Sequence, residues 1–391
     1  MVFMPWKEQT VEHLRCEFVV EVLAGEITKS KLCAKYGISR VTGDKWIDRY
    51  QNGQGFADRS RAPFHSPKKT NSEVEQLVIN VRLEHPAWGA RKIVRHLKNQ
   101  GFTDLPAQST VCAILSRAGL VTKEASQAAT PYKRFQRQIP NELWQVDFKG
   151  HFQMKNNARC YPLTAIDDHS RFALCVDAKD NERYDGVVAS FVNMFELYGL
   201  PLTVLCDNGN PWGLSQLTGY TRFEIWLMQR DVLPIHGRPR HPQTQGKEER
   251  FNRTLGDEVL KHKDIENLAH AQAEFDDFRL CYNNIRPHGA LNLDTPAMHY
   301  VPSKRCMPRT IQEWDYPSGH VKRRVKRAGY FSYLGQNYYL GEAFMGKNIA
   351  LRESSINGCI NLYYRNFRIA RLNMDEKCFI SRKIYRIDDG D

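Results

Sequence analysis

Residues 141–300 carry the pattern that most restricts the fold. Three short apolar runs of alternating character, near 143–152, 159–167 and 171–177, follow one another with no helical repeat between them. Alternation at period two marks strands with one buried face, and strands joined by short turns pair antiparallel. The pattern then changes to helix and strand in turn: a helix near 183–198, a strand at 202–206, a helix near 220–230, a short strand at 232–235, and helices at 243–262 and 267–284. Such alternation adds parallel strands and lays helices on the sheet, so a layered α/β domain is expected. Asp167-Asp168-His169-Ser170 falls between the second and third runs and reads as a hairpin connection.

The flanking regions have other periods. Glu8 to Leu23 repeats as a helix, Thr28 to Tyr36 forms a short helix behind a good N-cap, Gly37 supplies a turn, and Ser39 caps a helix running to about Tyr50. This is a helix-turn-helix whose last helix exposes Arg40, Thr42 and Lys45 and turns Trp46 and Ile47 inward. Gln54 to Thr70 reads as a linker, Ser72 to Glu84, Gly89 to Asn99 and Ala107 to Ala118 as three more helices, and Ala125 to Arg137 as a basic connector. After a further linker, Gly319 to about Asn373 alternates in short runs such as Tyr330-Phe331-Ser332-Tyr333, which suggests a small β-barrel. The expected division is 1–55, a linker 56–70, 71–124, a connector 125–140, 141–300, a linker 301–318 and 319–391.

Charge follows this division. Residues 1–140 carry 22 Lys and Arg against 13 Asp and Glu, 141–300 carry 17 against 22, and 301–391 carry 17 against 9. Basic ends suit phosphate backbones, and an acidic middle suits cations. Ten cysteines, with no Cys-x-x-Cys pair and no Cys/His set at zinc spacing, read as reduced thiols of a cytosolic protein. With no run of 18 apolar residues and no signal-peptide pattern, neither a membrane nor a secretory route is expected.

Three carboxylates in the middle region sit where rigid elements aim side chains. Asp147 lies in the run Leu143-Trp144-Gln145-Val146-Asp147-Phe148, Asp207 ends the run Leu202 to Cys206 before Asn208-Gly209, and Glu249 lies in the helix opening after Pro242. A helix begun near Gln243 puts Glu249 on a polar face with Gln245, Asn252, Arg253 and Gly256. Phe251, Leu255 and Val259 make the apolar stripe, while Glu248, a weaker rival for the third position, points elsewhere with Leu255. Carboxylates from separate elements are the ligands that Mg²⁺ or Mn²⁺ prefers. Two such ions, roughly 3.5–4 Å apart, serve in-line displacement at a phosphodiester.

The segments WQVDFKG, LCDNGNP, HPQTQGKEERFNRTL and YNNIRPHGAL resemble those of bacterial insertion-sequence transposases of the DDE, retroviral-integrase-like superfamily. The opening MPWKE and the stretch Leu32 to Arg40 are similar to the helix-turn-helix start of one bacterial branch. The 41 residues between Asp207 and Glu249 exceed the spacing usual in that superfamily, and the excess falls in Pro211 to Tyr220, which reads as a loop insertion. The resemblance implies a ribonuclease-H-like catalytic core, with Asp147, Asp207 and Glu249 as catalytic and metal-binding residues for two Mg²⁺ or Mn²⁺ ions. It also implies a helix-turn-helix at the N-terminus, a second helical DNA-binding unit around Pro86 to Ile93, and an SH3-like C-terminal barrel. Arg40, Thr42, Lys45, Arg91, Lys92, Lys247 and Arg250 are the expected DNA contacts. Double-stranded DNA, as element ends and target, and a homo-oligomer on it are the expected partners, in a bacterial cytoplasm at the nucleoid. Metal-dependent cleavage and strand transfer is the expected activity. A non-cutting DNA-binding regulator and a nuclease without joining activity stay open as alternatives.

Overall fold

The computed structural model describes residues 10–59, 70–121, 136–209, 211–212, 219–237 and 246–387. The expectations for the linker 56–70, the basic connector and the 211–220 insertion fall largely outside these residues, as does the helix start at Gln243. The chain divides into two compact units, Met1–Lys69 and Thr70–Asp391.

In the first unit, α1 (Val11–Ala24), α2 (Lys29–Lys35) and α3 (Arg40–Gln51) pack around Phe18, Val19, Leu32, Cys33 and Trp46. Ser39 caps α3 by accepting the amide of Thr42 at 3.1 Å. Gly43 faces the interior of this unit: a Cβ there would stand 2.9 Å from Cys33 Sγ and 3.0 Å from Phe18 Cζ, so only glycine lets α3 approach this closely. Trp46 is buried as expected, with Arg15 4.0 Å and Arg49 4.8 Å from its ring.

The second unit begins with α4 (Ser72–Glu84), α5 (Ala90–Asn99) and α6 (Gln108–Arg117) around Trp88, Ile93, Leu97 and Ile114. Next come β1 (Leu143–Phe148), β2 (Phe152–Gln153), β3 (Arg159–Asp167), β4 (Ala173–Lys179), α7 (Tyr184–Tyr198), β5 (Thr203–Cys206), α8 (Arg222–Met228), β6 (Leu233–His236), α9 (Gly246–Leu255) and α10 (Leu268–Asn284). The sheet runs β2-β3-β1-β5-β6, with β4 also on β3. β1 is antiparallel to β3 and parallel to β5, and β5 is parallel to β6. Trp144 and Val146 pack with Phe191 of α7 and Phe223 of α8 on one face. The period of two therefore turns Gln145 and Asp147 to the opposite face. On that face Phe251 and Leu255 of α9 and Phe275 and Phe278 of α10 pack with Ile166 and Val176. Phe251, 1% exposed, contributes on the order of 2–3 kcal/mol through burial and fixes the helix that carries Glu249. α9 passes directly into a π-helical turn, Gly256–Leu260.

The C-terminal part is a set of antiparallel strands: β7 (Val321–Arg324), β8 (Tyr330–Tyr333), β9 (Gln336–Tyr339), β10 (Asn348–Glu353), β11 (Cys359–Tyr364), β12 (Phe367–Asn373), β13 (Cys378–Ser381) and β14 (Tyr385–Arg386). β13-β12-β11-β10-β7 forms one open path with β14 on β12, while β8 and β9 pair separately. The expected barrel is thus not closed among the described residues: β7 and β13 end the path without pairing to each other. One face of this sheet is covered by the core itself, because Tyr220, Ile225 and Met228 join Phe344, Ile360, Leu362 and Phe367 in one buried cluster. Asp231 adds a polar anchor by accepting from Arg305 at 3.0 Å and Arg386 at 2.7 Å.

Candidate active site

Sheet register brings the two aspartates to the same end. Leu143, Trp144 and Gln145 pair with Thr203, Val204 and Leu205, and two further residues along each strand lead to Asp147 and Asp207. Neighbouring strands lie about 4.8 Å apart, so the pair sits at the carboxyl ends of adjacent parallel strands. Asp147 is half-buried and Asp207 exposed, with the Asp207 carboxylate accepting the Asn208 amide at 2.7 Å. Glu249 is exposed in the first turn of α9, which packs on β1 and β3. Burial, then the charge of Asp207, and more weakly those of Glu182 and Glu249, push the Asp147 carboxyl up to about 7. Glu182 is an acid near this site that the sequence pattern did not single out.

Among the described residues, no three His, Cys, Asp or Glu side chains stand close enough together to hold a metal ion as they are. The donor chemistry nevertheless fits a hard cation. Asp207 and Glu249 have no ion-pair partner among the described residues, and their charges raise the proton affinity of Asp147 rather than being neutralised by protein cations. Asp147, Asp207 and Glu249 are the residues that would hold the ion.

Glu248 faces the interior on the side of α9 that it shares with Leu255, where the helical reading put it. It is 1% exposed, Thr164 Oγ lies 2.5 Å from its Oε1, and Oε2 has no partner. Thr164 Oγ also approaches the Asp147 carbonyl at 3.1 Å and Asn252 Oδ1 at 3.0 Å. One hydroxyl proton cannot serve three acceptors, and a neutral Glu248 supplies the second. Burial pushes this carboxyl well above its ordinary range, in line with that arrangement. Asn252, expected on the polar face with Glu249, is buried and donates to Asp147 Oδ2 at 3.4 Å. A helix-surface rule gives angular position but not how deeply the helix sinks onto the sheet, and here the sheet takes in both neighbours of the expected polar face.

Asp167 and Asp168 are fully buried in the turn between β3 and β4, where the hairpin reading put them. Asp167 accepts from the amides of Asn141 and Ser170 at 2.7 and 2.8 Å. Asp168 accepts from Gln145 at 2.6 Å and from Lys247 at 2.5 Å. Lys247 is therefore occupied inside the protein, and burial pushes its amine down to about 8. Lys92 is likewise half-buried on α5, its Nζ 4.0 Å from Glu258, and burial together with Arg286 pushes it down to about 8. Both were expected to contact DNA, and both have an intramolecular carboxylate beside them that the sequence did not show. Arg40, Lys45, Arg91 and Arg250 are exposed and Thr42 is half-buried.

At the open end of β5, His236 closes off the back of Asp207. Its Nδ1 lies 3.0 Å from the Asp207 carbonyl and its Nε2 lies 3.1 Å from Glu224 Oε1. Burial opposes protonation of this ring, but the hydrogen bond and charge of Glu224 outweigh it and raise its proton affinity. Glu224 is itself fixed by a capping box, its Oε2 accepting the Thr221 amide at 2.6 Å while Thr221 Oγ accepts the Glu224 amide at 3.2 Å.

The core thus has a five-strand path with two acids following adjacent parallel strands and a third acid on a helix that packs on the sheet. The sequence matches the integrase core domain family over residues 137–242 and, in a second form, 230–296. It also matches the helix-turn-helix domain over 14–64, the homeodomain-like domain over 42–115, and the C-terminal domain of the IS481 family transposases over 320–379. A protein of insertion element IS476 from Xanthomonas euvesicatoria is 26% identical over 62% of this chain and 69% of its own. A protein named as transposase for insertion sequence element IS5376 of Geobacillus stearothermophilus is 22% identical over 89% of this chain and 84% of its own. The simian T-cell lymphotropic virus intasome, in complex with PP2A regulatory subunit B56 gamma, aligns at 15% identity over 81% of this chain and 100% of that one, with a TM-score of 0.37. The chain thus carries an integrase core domain with helix-turn-helix and IS481-type C-terminal matches on either side, and it is similar to insertion-sequence transposases of the retroviral-integrase-like superfamily.

Proposed function

We propose that this protein binds the ends of a mobile element, cleaves DNA there and joins the freed 3′ ends to target DNA. The observation that carries the reading is the register of β1 against β5, which sets Asp147 and Asp207 side by side with Glu249 on the helix above. Divalent cations, Mg²⁺ or Mn²⁺ and two in number, would supply activation of the attacking oxygen and stabilisation of the leaving one. The chain's own part is to present three acids from rigid elements and to hold Asp147 from behind through Asn252 and Thr164. Arg40, Thr42 and Lys45 of the first unit, with Arg91 and Arg250 of the second, are the proposed DNA contacts. Assembly on paired ends would need at least two copies. Among the described residues no helix is long and apolar enough to cross a membrane.

A supercoiled donor carrying two element ends, incubated with Mn²⁺, tests the reading. Nicks at the ends followed by strand-transfer products are expected; a mobility shift without nicking would mark a regulator, and hydrolysis without joining a nuclease. The identity of the third acid has its own check. Glu249→Gln is expected to lose nicking. Glu248→Gln should keep it and raise stability at pH 8, because folding then no longer has to neutralise a buried acid that is ionised in the unfolded chain. The gain should vanish near pH 4, where Glu248 is neutral in both folded and unfolded chains, and denaturant titration at the two pH values measures it. Loss of nicking in Glu248→Gln with retention in Glu249→Gln would reverse the assignment.

A further inference from the structure

We propose that His236 is a positioning residue for Asp207, strapping the strand end that carries this acid to the buried carboxylate of Glu224. The inference rests on the reading of Asp207 as a cation ligand. A carbonyl oxygen only accepts, so the 3.0 Å contact between His236 Nδ1 and the Asp207 carbonyl fixes Nδ1 as an N–H donor. The other ring nitrogen meets Glu224 Oε1 at 3.1 Å, which locks the ring plane. Glu224 cannot drift in turn: it is 5% exposed, and its second oxygen belongs to the cap of α8. Two more bonds brace the same turn from β6, Asn208 Nδ2 to the Gly237 carbonyl at 2.6 Å and the Gly237 amide to the Cys206 carbonyl at 3.2 Å. Asp207 is exposed and follows the last residue of β5, and its carboxylate is held by the Asn208 amide of the same turn, so the placement of that turn sets its direction. The strap from α8 through His236 supplies that direction. Hydrogen-bonding partners one step behind a ligand orient it in many metal sites.

Asparagine and glutamine substitutions separate the two halves of the strap. In His236→Asn the shorter side-chain amide would take the place of Nδ1 and keep the donor to Asp207. In His236→Gln the longer amide would take the place of Nε2 and keep only the contact with Glu224. Mn²⁺ binding to the full-length protein, measured by calorimetry, is expected to weaken roughly 10- to 100-fold in His236→Ala and His236→Gln, the range for partners behind a ligand. His236→Asn should recover most of that loss. Hydrogen exchange at residues 207–209 in the metal-free protein should speed up in His236→Ala and His236→Gln and return toward the original rate in His236→Asn. If His236→Ala does not fold, the asparagine and glutamine variants carry the comparison between them, since each keeps one of the two contacts. Equal exchange rates in those two variants would overturn the positioning role. No Mn²⁺ binding by the unsubstituted protein, with the exchange pattern as expected, would instead overturn the cation reading of Asp207 and keep the strap.

Discussion

Asp207→Asn is expected to remove nicking at element ends while leaving end binding largely intact. The substitution keeps the shape of the side chain and its bond to the Asn208 amide, so the turn survives. What changes is charge. An amide oxygen is a far weaker ligand for a hard divalent cation than a carboxylate, and it no longer contributes the field that raises Asp147. The proposed helix-turn-helix contacts Arg40, Thr42 and Lys45 belong to the first unit, which the substitution does not change. A donor-nicking assay beside a gel-shift titration reads both properties on one preparation, and retained cutting with lost binding would count against the assigned site.

The second large effect is a linkage between pH, metal and stability. Asp147 has an ordinary carboxyl value of 3.8 in the unfolded chain and about 7 in the folded one. Between those values the native state holds more protons, so the Asp147 contribution to the stability of the metal-free protein should fall as pH rises, by up to about 1.4 kcal/mol per unit, and level off above 7. Glu248, also raised, adds to the same trend. A bound divalent cation reverses it by making the ionised form the favoured one. Apparent Mg²⁺ or Mn²⁺ affinity should therefore climb about tenfold per pH unit below 7 and flatten above it, with one proton released on binding. Thermal unfolding from pH 5 to 8 with and without Mg²⁺ checks the first part, and calorimetry in buffers of different ionisation enthalpy checks the second. A metal-free stability that is flat across this range would rule out the raised Asp147.

Much of the scaffold was legible in the chain because it rests on local rules. Strands and helices of the core follow period two and period 3.6, and the Ser39 cap marks the start of α3 by accepting the amide three residues ahead. Asp147 and Asp207 could be picked out as strand-borne acids for the same reason. A helix near 220–230 was legible, yet nothing local tells that the free oxygen of Glu224 reaches His236 beyond the end of α8. Barrel closure failed to be predictable in a similar way: alternation yields strands, but closure depends on which edges meet, and here the open sheet lays one face on α8. Lys92 and Lys247, expected as DNA contacts, have Glu258 and Asp168 beside them, partners so distant in sequence that no local rule shows them.

By itself, then, the sequence determined the kinds and order of the elements, the acids they carry and the superfamily, since each of these is written in residues a few positions apart. Only the tertiary structure decided which charges remain free for a ligand. Burial depth and the neutralising partner of a charge are set by segments far apart in the chain, and those arise only once the sheet and its covering helices have packed.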